Sequence, residues 1–316
     1  MKRGKMIENS NVLLSLCIPT NGIIEWVFPV LDSIYCQNVS PELYEVIVTD
    51  NGNNDEFNKK MLDYESKKSN LKYRKTNAIL FENQIEALKF ASGEYLKFVN
   101  HRAVMNPGTI QWMIDLIKKT ISYKPIIYLS DGALGVFNKQ YYNDFDGFVK
   151  GLREFASWTT GVGVWRTDFE RIPTNKEYNK ISPHSDVLFA ERNKEKYIID
   201  DTKWSKDITN SHSNKGKYDL YRAFGVEEIS ITLQLYIDGD ICADTLKYII
   251  NSYEDCVATF YMKFNILKEP CSYILDGFDD AMGIFLNKKR VVRKARRKLI
   301  QFKFRRINNK LRKVFL

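Results

Sequence analysis

Val12 to Asp55 reads VLLSLCIPTNGIIEWVFPVLDSIYCQNVSPELYEVIVTDNGNND, and the fold turns on how this stretch is read. Two short apolar runs, Leu13–Ile18 and Tyr44–Thr49, are each cut off by turn formers, Pro19-Thr20-Asn21-Gly22 after the first and Asp50-Asn51-Gly52 after the second. Between them Ile23, Val27, Val30, Leu31, Ile34 and Tyr35 fall on one helical face, with Pro29 expected in the first turn or at a kink. Strand, helix and strand at this length make a βαβ unit, so the strands should run parallel through a right-handed connection. Both turns then open at the carboxyl end of the sheet, where open α/β folds bind ligands. Asp50 is expected to face that crevice, or else to cap its own turn.

The order of short motifs resembles the family 2 glycosyltransferases of GT-A fold. Ser15, Pro19, Thr20 and Asn21 stand in the order of that family's first-strand pattern, and Asp50-Asn51-Gly52-Asn53-Asn54-Asp55 in that of its second. Gly93-Glu94-Tyr95-Leu96-Lys97-Phe98 looks like the strand leading to its metal site. The resemblance covers roughly the first 200 residues. It implies a Rossmann-like, mostly parallel mixed sheet flanked by helices, and inverting transfer of a sugar from a nucleotide donor of the UDP class.

On that resemblance Asp50 would contact the nucleoside, with Pro19, Thr20, Asn21 and Asn51 lining the same pocket. The family's Asp-x-Asp, which holds Mg²⁺ or Mn²⁺ against the diphosphate, is replaced here by Asn100-His101-Arg102. Hard divalent ions prefer carboxylate oxygen, which leaves three readings. Arg102 and His101 supply positive charge directly; or His101 holds a metal, Mn²⁺ rather than Mg²⁺, with acids such as Asp131 or Asp186; or the site is degenerate. The family's general base matches Asp186, after the Gly161–Trp165 segment and a loop, although Ser185 stands where Glu is common. The bland alternative for Asp186 is a helix N-cap. His184 is a substitute base or acceptor contact, His212 a phosphate or metal contact, and Trp158 a sugar-stacking acceptor residue or simply core.

The 316 residues are 44% hydrophobic, which supplies a substantial core and argues against disorder. No run reaches the roughly 18 apolar residues that span a bilayer, and no signal peptide is evident. Five scattered cysteines without a CxxC fit a reducing compartment, with Cys17 a buried thiol. Beyond the first βαβ unit, helices are expected over Asp55–Lys68, Asn77–Ala91 and after Gly108, with strands at Leu71–Arg74, Tyr95–Val99, Ile126–Ser130, Gly161–Trp165 and Lys196–Ile199. Asn138–Thr160 reads as loop with a short helix, and Leu220–Leu286 as helical.

Lys288 to the end holds fourteen Lys or Arg and no acid; without that charge the net +9 becomes −5 for residues 1–287. Val292, Ala295, Leu299, Ile300, Phe304, Ile307, Leu311 and Phe315 recur at helical spacing, the pattern of an interfacial membrane helix on anionic lipid. Three parts follow: residues 1–215 as the nucleotide-sugar-binding and catalytic domain, 216–287 as a helical subdomain, and 288–316 as a membrane-associating tail. The expected partners are a nucleotide-sugar donor, a glycan or lipid-linked glycan acceptor of capsule or lipopolysaccharide type, and an anionic membrane, placing the protein in the cytoplasm on the inner face of the cell membrane. Two rivals are a non-catalytic nucleotide-sugar-binding relative and, less favoured, a nucleic-acid binder that uses the tail.

Overall fold

The computed structural model describes residues 12–208 and 217–314, with side chains through 305. His212, Phe315 and the lead-in 1–11 lie outside the described residues. Two compact units divide the chain: the first runs to Ile208 but leaves out Val149–Glu154, which join the second unit with the chain beyond Ile208.

In the first unit β1 (Leu14–Thr20), α1 (Ile24–Tyr35) and β2 (Tyr44–Asp50) form the expected βαβ unit, Leu14 pairing with Tyr44 and Thr20 with Asp50. Pro29 sits in the second turn of α1 on its solvent side, where the carbonyl it leaves without a donor meets water. Next come α2 (Asp55–Ser66), β3 (Leu71–Lys75), α3 (Asn83–Phe90), β4 (Tyr95–Phe98), β5 (Ala103–Met105), α4 (Thr109–Thr120) and β6 (Ile126–Leu129). Then follow β7 (Lys139–Tyr142), α5 (Phe145–Leu152), β8 (Gly163–Trp165), α6 (Arg166–Phe169), α7 (Pro183–Leu188), β9 (Tyr197–Asp200) and β10 (Ser205–Asp207).

The main sheet has the order β3-β2-β1-β4-β8, parallel except for β8. This is the mixed, mostly parallel sheet flanked by helices of the GT-A fold. Strands β1 and β2 are buried on both faces, as all-parallel neighbours require, and α1 covers them with Val27, Val30, Leu31 and Ile34. Strand order reverses between β1 and β4, so the topological switch point lies outside the ends of those two strands.

Three short strands were not foreseen. β10 pairs with β5, and β7 with β9, in small separate sheets; at three or four residues they show no period of their own. The third helix also starts late: Asn77–Ile79 stay extended before a 3₁₀ turn at Leu80–Glu82, because Asn51 Nδ2 donates to the carbonyls of Ala78 and Leu80 at 3.0 Å each.

The second unit is helical as expected: α8 (Leu220–Arg222), α9 (Glu228–Ile237), α10 (Ala243–Phe260), α11 (Phe278–Ala281) and α12 (Lys288–Val314), with π-helical stretches at Ala223–Glu227 and Tyr261–Ile266. The start of α12 belongs to this unit. Val291 and Ala295 are fully buried, and Lys294 bridges Glu254 and Asp255 of α10 at 2.7 and 2.8 Å.

Candidate active site

Two loops close the carboxyl ends of β1 and β2, and they are fastened to each other. Asn51 N–H donates to Thr20 O at 3.1 Å, and Asn54 Nδ2 to Gly22 O at 3.0 Å, while Asn54 also caps α2. Gly52 is required here: a Cβ on it would lie 1.9 Å from Asn21 O. Asn83, the first residue of α3, completes the seam. Its amide donates to Thr20 O and Thr49 O at 3.1 and 2.8 Å, and its Oδ1 accepts from Thr76. One buried side chain thus joins the ends of three strands.

Asp50 is fully buried, which corrects the picture of a carboxylate open to the crevice. Oδ1 accepts the Gly52 N–H at 2.7 Å, the turn-capping arrangement, while Oδ2 takes the Tyr73 hydroxyl and Lys75 Nζ at 3.0 Å each. Of four lone-pair sites three are taken, and the carboxylate presents no surface to solvent. Lys75 and Tyr73, which sequence reading missed, sit at the end of the neighbouring strand, where register alone could have placed them beside Asp50.

Across the switch point His101 Nδ1 lies 2.9 Å from Thr20 Oγ1, with the ring edge-on to Trp26 at 4.9 Å. Burial, with Arg102 adding to it, pulls the His101 pKa down to about 3. His101 is therefore neutral at physiological pH, and of the two cations expected for a diphosphate only Arg102 carries charge. Arg102 stacks 5.3 Å over Trp26, and its N–H and Nε turn to Asn100 Oδ1 at 3.1 and 3.4 Å.

This donor set does not fit Mg²⁺ or Mn²⁺. Asn100 Oδ1 is engaged by Arg102; of the two acids suggested as co-ligands Asp186 holds the Asn179 N–H, and Asp131 is saturated. Its oxygens accept from Trp204 N and Ser205 N at 2.7 and 2.9 Å, from Ser205 Oγ at 2.7 Å and from Lys203 at 3.0 Å. Among the described residues no group of three or more His, Cys, Asp or Glu is placed to hold a metal.

Asp186 lies within α7, whose N-cap is Ser182, so it does not cap that helix. Its Oδ2 instead accepts the Asn179 N–H at 2.5 Å, and Lys176 approaches at 3.8 Å. Burial raises its pKa, only partly opposed by Asn179 and Lys176. That is the direction a general base needs.

His184 is buried, and both ring nitrogens are engaged, Nε2 with Ser157 O at 2.8 Å and Nδ1 with the Gln84 amide at 3.1 Å. Burial lowers its pKa to about 4. The neutral ring donates to the carbonyl through Nε2, so Nδ1 accepts and the Gln84 amide must turn its NH2 to it, which leaves no nitrogen for an acceptor sugar or for proton abstraction in this arrangement. What it does is tie α7 to α3. Because Gln84 follows Asn83, the helix carrying Asp186 is linked through adjacent residues to the ends of β1 and β2.

A cleft of about 950 Å³ runs along α3, walled by Lys75 and Asn77 at one side and by Lys176 and Tyr178 at another. Its walls therefore include the partner of Asp50 and the partner of Asp186. Trp158 is 37% exposed, with its ring 6.2 Å from Phe155, so it is not a core residue. Three residues on, Gly161 has no room for a side chain, since a Cβ would fall 2.0 Å from the Tyr128 ring.

The remaining motif residues are structural. Ser15 Oγ donates to Glu45 at 2.7 Å and accepts the Gly93 N–H at 2.9 Å, at the opposite end of the sheet from Thr20. Lys97 is buried, with Nζ donating to the carbonyls of Phe98, Thr160 and Val162.

Comparison with known proteins agrees with this fold. The family model described as "Glycosyl transferase family 2" matches residues 15–161, just under half the chain. No curated protein matches. Among solved structures, a crystal structure of S. aureus TarS superposes with a TM-score of 0.53 at 15% identity, covering 80% of this chain and 43% of that one. A second, S. aureus TarS 1-349 in complex with UDP-GlcNAc, gives 0.52 at 14% identity, covering 81% of this chain and 84% of that one. The chain thus spans less than half of the longer TarS structure. At these identities the likeness is one of fold.

Proposed function

We propose that the protein is an inverting glycosyltransferase that moves a sugar from a nucleotide donor to a hydroxyl of a lipid-linked or surface-polysaccharide acceptor, at the inner face of the cell membrane. The observation that carries this reading is the linkage through Asn83 and Gln84. It joins a ligand-type crevice at the switch point to a helix bearing one carboxylate of raised pKa. The family match over residues 15–161 supports the reaction class. A UDP-sugar is the proposed donor, by analogy with the TarS structure solved with UDP-GlcNAc.

In this reading Thr20 and Asn21 meet the nucleoside, Asp50 braces their loops through Gly52, Tyr73 and Lys75, and Asn51 and Pro19 shape the loops that hold it. Arg102 faces the diphosphate, with neutral His101 as a hydrogen-bonding neighbour. The acceptor lies in the cleft beside α3, with Trp158 offering an exposed ring to a sugar face. Asp186 takes the proton of the acceptor hydroxyl as its oxygen bonds to the anomeric carbon. The bond to the diphosphate breaks on the opposite face, and the electron pair leaves with the phosphate oxygen toward Arg102. A single displacement of this kind inverts the anomeric centre. No step is routed through a metal, because the residues present do not fit one.

The test is a screen of nucleotide sugars followed by release of nucleoside diphosphate, with EDTA and with added Mn²⁺. Release from a UDP-sugar that survives EDTA is the expected result. Tight UDP binding with no turnover on any donor would instead favour a non-catalytic binding relative, the reading motivated by Asn100-His101-Arg102 in place of an acidic pair.

A further inference from the structure

The single apolar stripe read along the C-terminal segment is two stripes on different faces of α12. The root of the helix is pinned. Val291 and Ala295 are fully buried; Arg290 and Lys294 reach Glu254 at 2.8 and 2.7 Å, and Lys288 reaches Asp279 at 2.7 Å. Ile300 lies five residues past Ala295, which at 3.6 residues per turn is ~140° around the helix, and Phe304 lies ~40° from Ile300. Consistent with that rotation, Ile300 and Phe304 are 55% and 62% exposed. In the sequence Ile307 and Leu311 continue their spacing of three and four residues.

Charge divides the helix at the same place. Three of the root's five cations, Lys288, Arg290 and Lys294, are paired with acids of the second unit. Beyond Lys294, Arg296, Arg297, Lys303 and Arg305 are exposed and, among the described residues, make no ion pair. No acid follows Asp280 in the chain. An apolar pair standing among uncompensated cations has three candidate occupants. A second copy of the helix would cover Ile300 and Phe304 but bring like charges together. Nucleic acid would take the cations but give the aliphatic Ile300 nothing to bury against. An anionic bilayer satisfies both, with cations at the headgroups and the apolar side chains at the acyl boundary.

We propose that α12 from Arg296 to Arg305 is a docking surface for an anionic membrane, presented by a root fixed into the helical unit. The proposal stands on the helix alone: a vesicle-bound protein without transferase turnover would leave it intact.

The experiment is co-sedimentation of the full chain with vesicles of phosphatidylcholine alone and with added phosphatidylglycerol. The chain should pellet only with the anionic vesicles, and less so at high salt. The pair Ile300→Glu with Phe304→Glu should lower partitioning at least tenfold. Arg296→Gln with Arg297→Gln should lower it roughly twenty-five-fold, at about fivefold per charge. All four positions are exposed, so circular dichroism melts should match the unsubstituted protein. Failure to pellet, or pelleting that ignores the Ile300 and Phe304 changes, overturns the proposal. So does retardation of an RNA duplex without vesicle binding, or a vesicle-free oligomer that the Ile300 and Phe304 changes dissociate.

Discussion

Glu45 and Asp186 are both carboxylates withdrawn from solvent in the first unit, with side chains 4% and 15% exposed, and their surroundings push them in opposite directions. Burial works to raise Glu45, but it is outweighed by Lys72, Ser15 and Ser92, and the pKa ends below the ordinary carboxylate value. Glu45 collects Ser15 Oγ and Lys72 Nζ at 2.7 Å each, Ser92 N at 2.5 Å and Gly93 N at 3.2 Å. Asp186 has one backbone donor at 2.5 Å and a lysine at 3.8 Å, and burial wins. The first arrangement stores a negative charge; the second leaves a carboxylate ready to take a proton. Buried acid alone therefore says little about function, whereas buried acid with too few donors says more.

The largest effect should come from the base. Asp186→Asn is expected to cut turnover by ~100-fold or more while leaving UDP affinity unchanged; turnover near normal would remove Asp186 from that role. Glu45→Ala should do the reverse. It leaves the Ser15 hydroxyl and the Ser92 amide without their acceptor, costing roughly 2–4 kcal/mol in urea unfolding with activity per folded molecule intact.

A subtler change sharpens the contrast by pH. Because Asp186 must be deprotonated to act, kcat/KM should rise with pH through an apparent pKa above 3.8. Lys176 holds that pKa down, so Lys176→Met should move the acid limb to higher pH. An unmoved limb would mean that another group titrates there.

How much of this was legible in the sequence depended on where the determinants lie. The βαβ unit and the order of β1 to β4 are local patterns, apolar runs cut by turn residues, and these were readable. The short strands β5, β7 and β10 exist because tertiary partners pair with them, and three or four residues carry no periodicity. Asn83 was missed for a related reason. Read locally it is a polar residue in a helix start, and only the fold brings Thr20, Thr49 and Thr76 within its reach. Asp50 was found by position, but its bonds to Lys75 and Tyr73 come from strand register. The charge asymmetry of the C-terminal helix was plain in the composition, while the turn of its apolar face at Ala295 needed knowledge of what α10 covers.

The central claim is that the crevice at the ends of β1, β2 and β4 is the nucleotide site. Calorimetric titration of UDP into the unsubstituted protein, Arg102→Ala and Glu45→Gln tests it most directly. The account predicts binding that weakens about tenfold in Arg102→Ala, the loss expected for one charge-assisted contact, and is unchanged in Glu45→Gln. Equal affinity in the unsubstituted protein and Arg102→Ala, or no UDP binding at all, would contradict it.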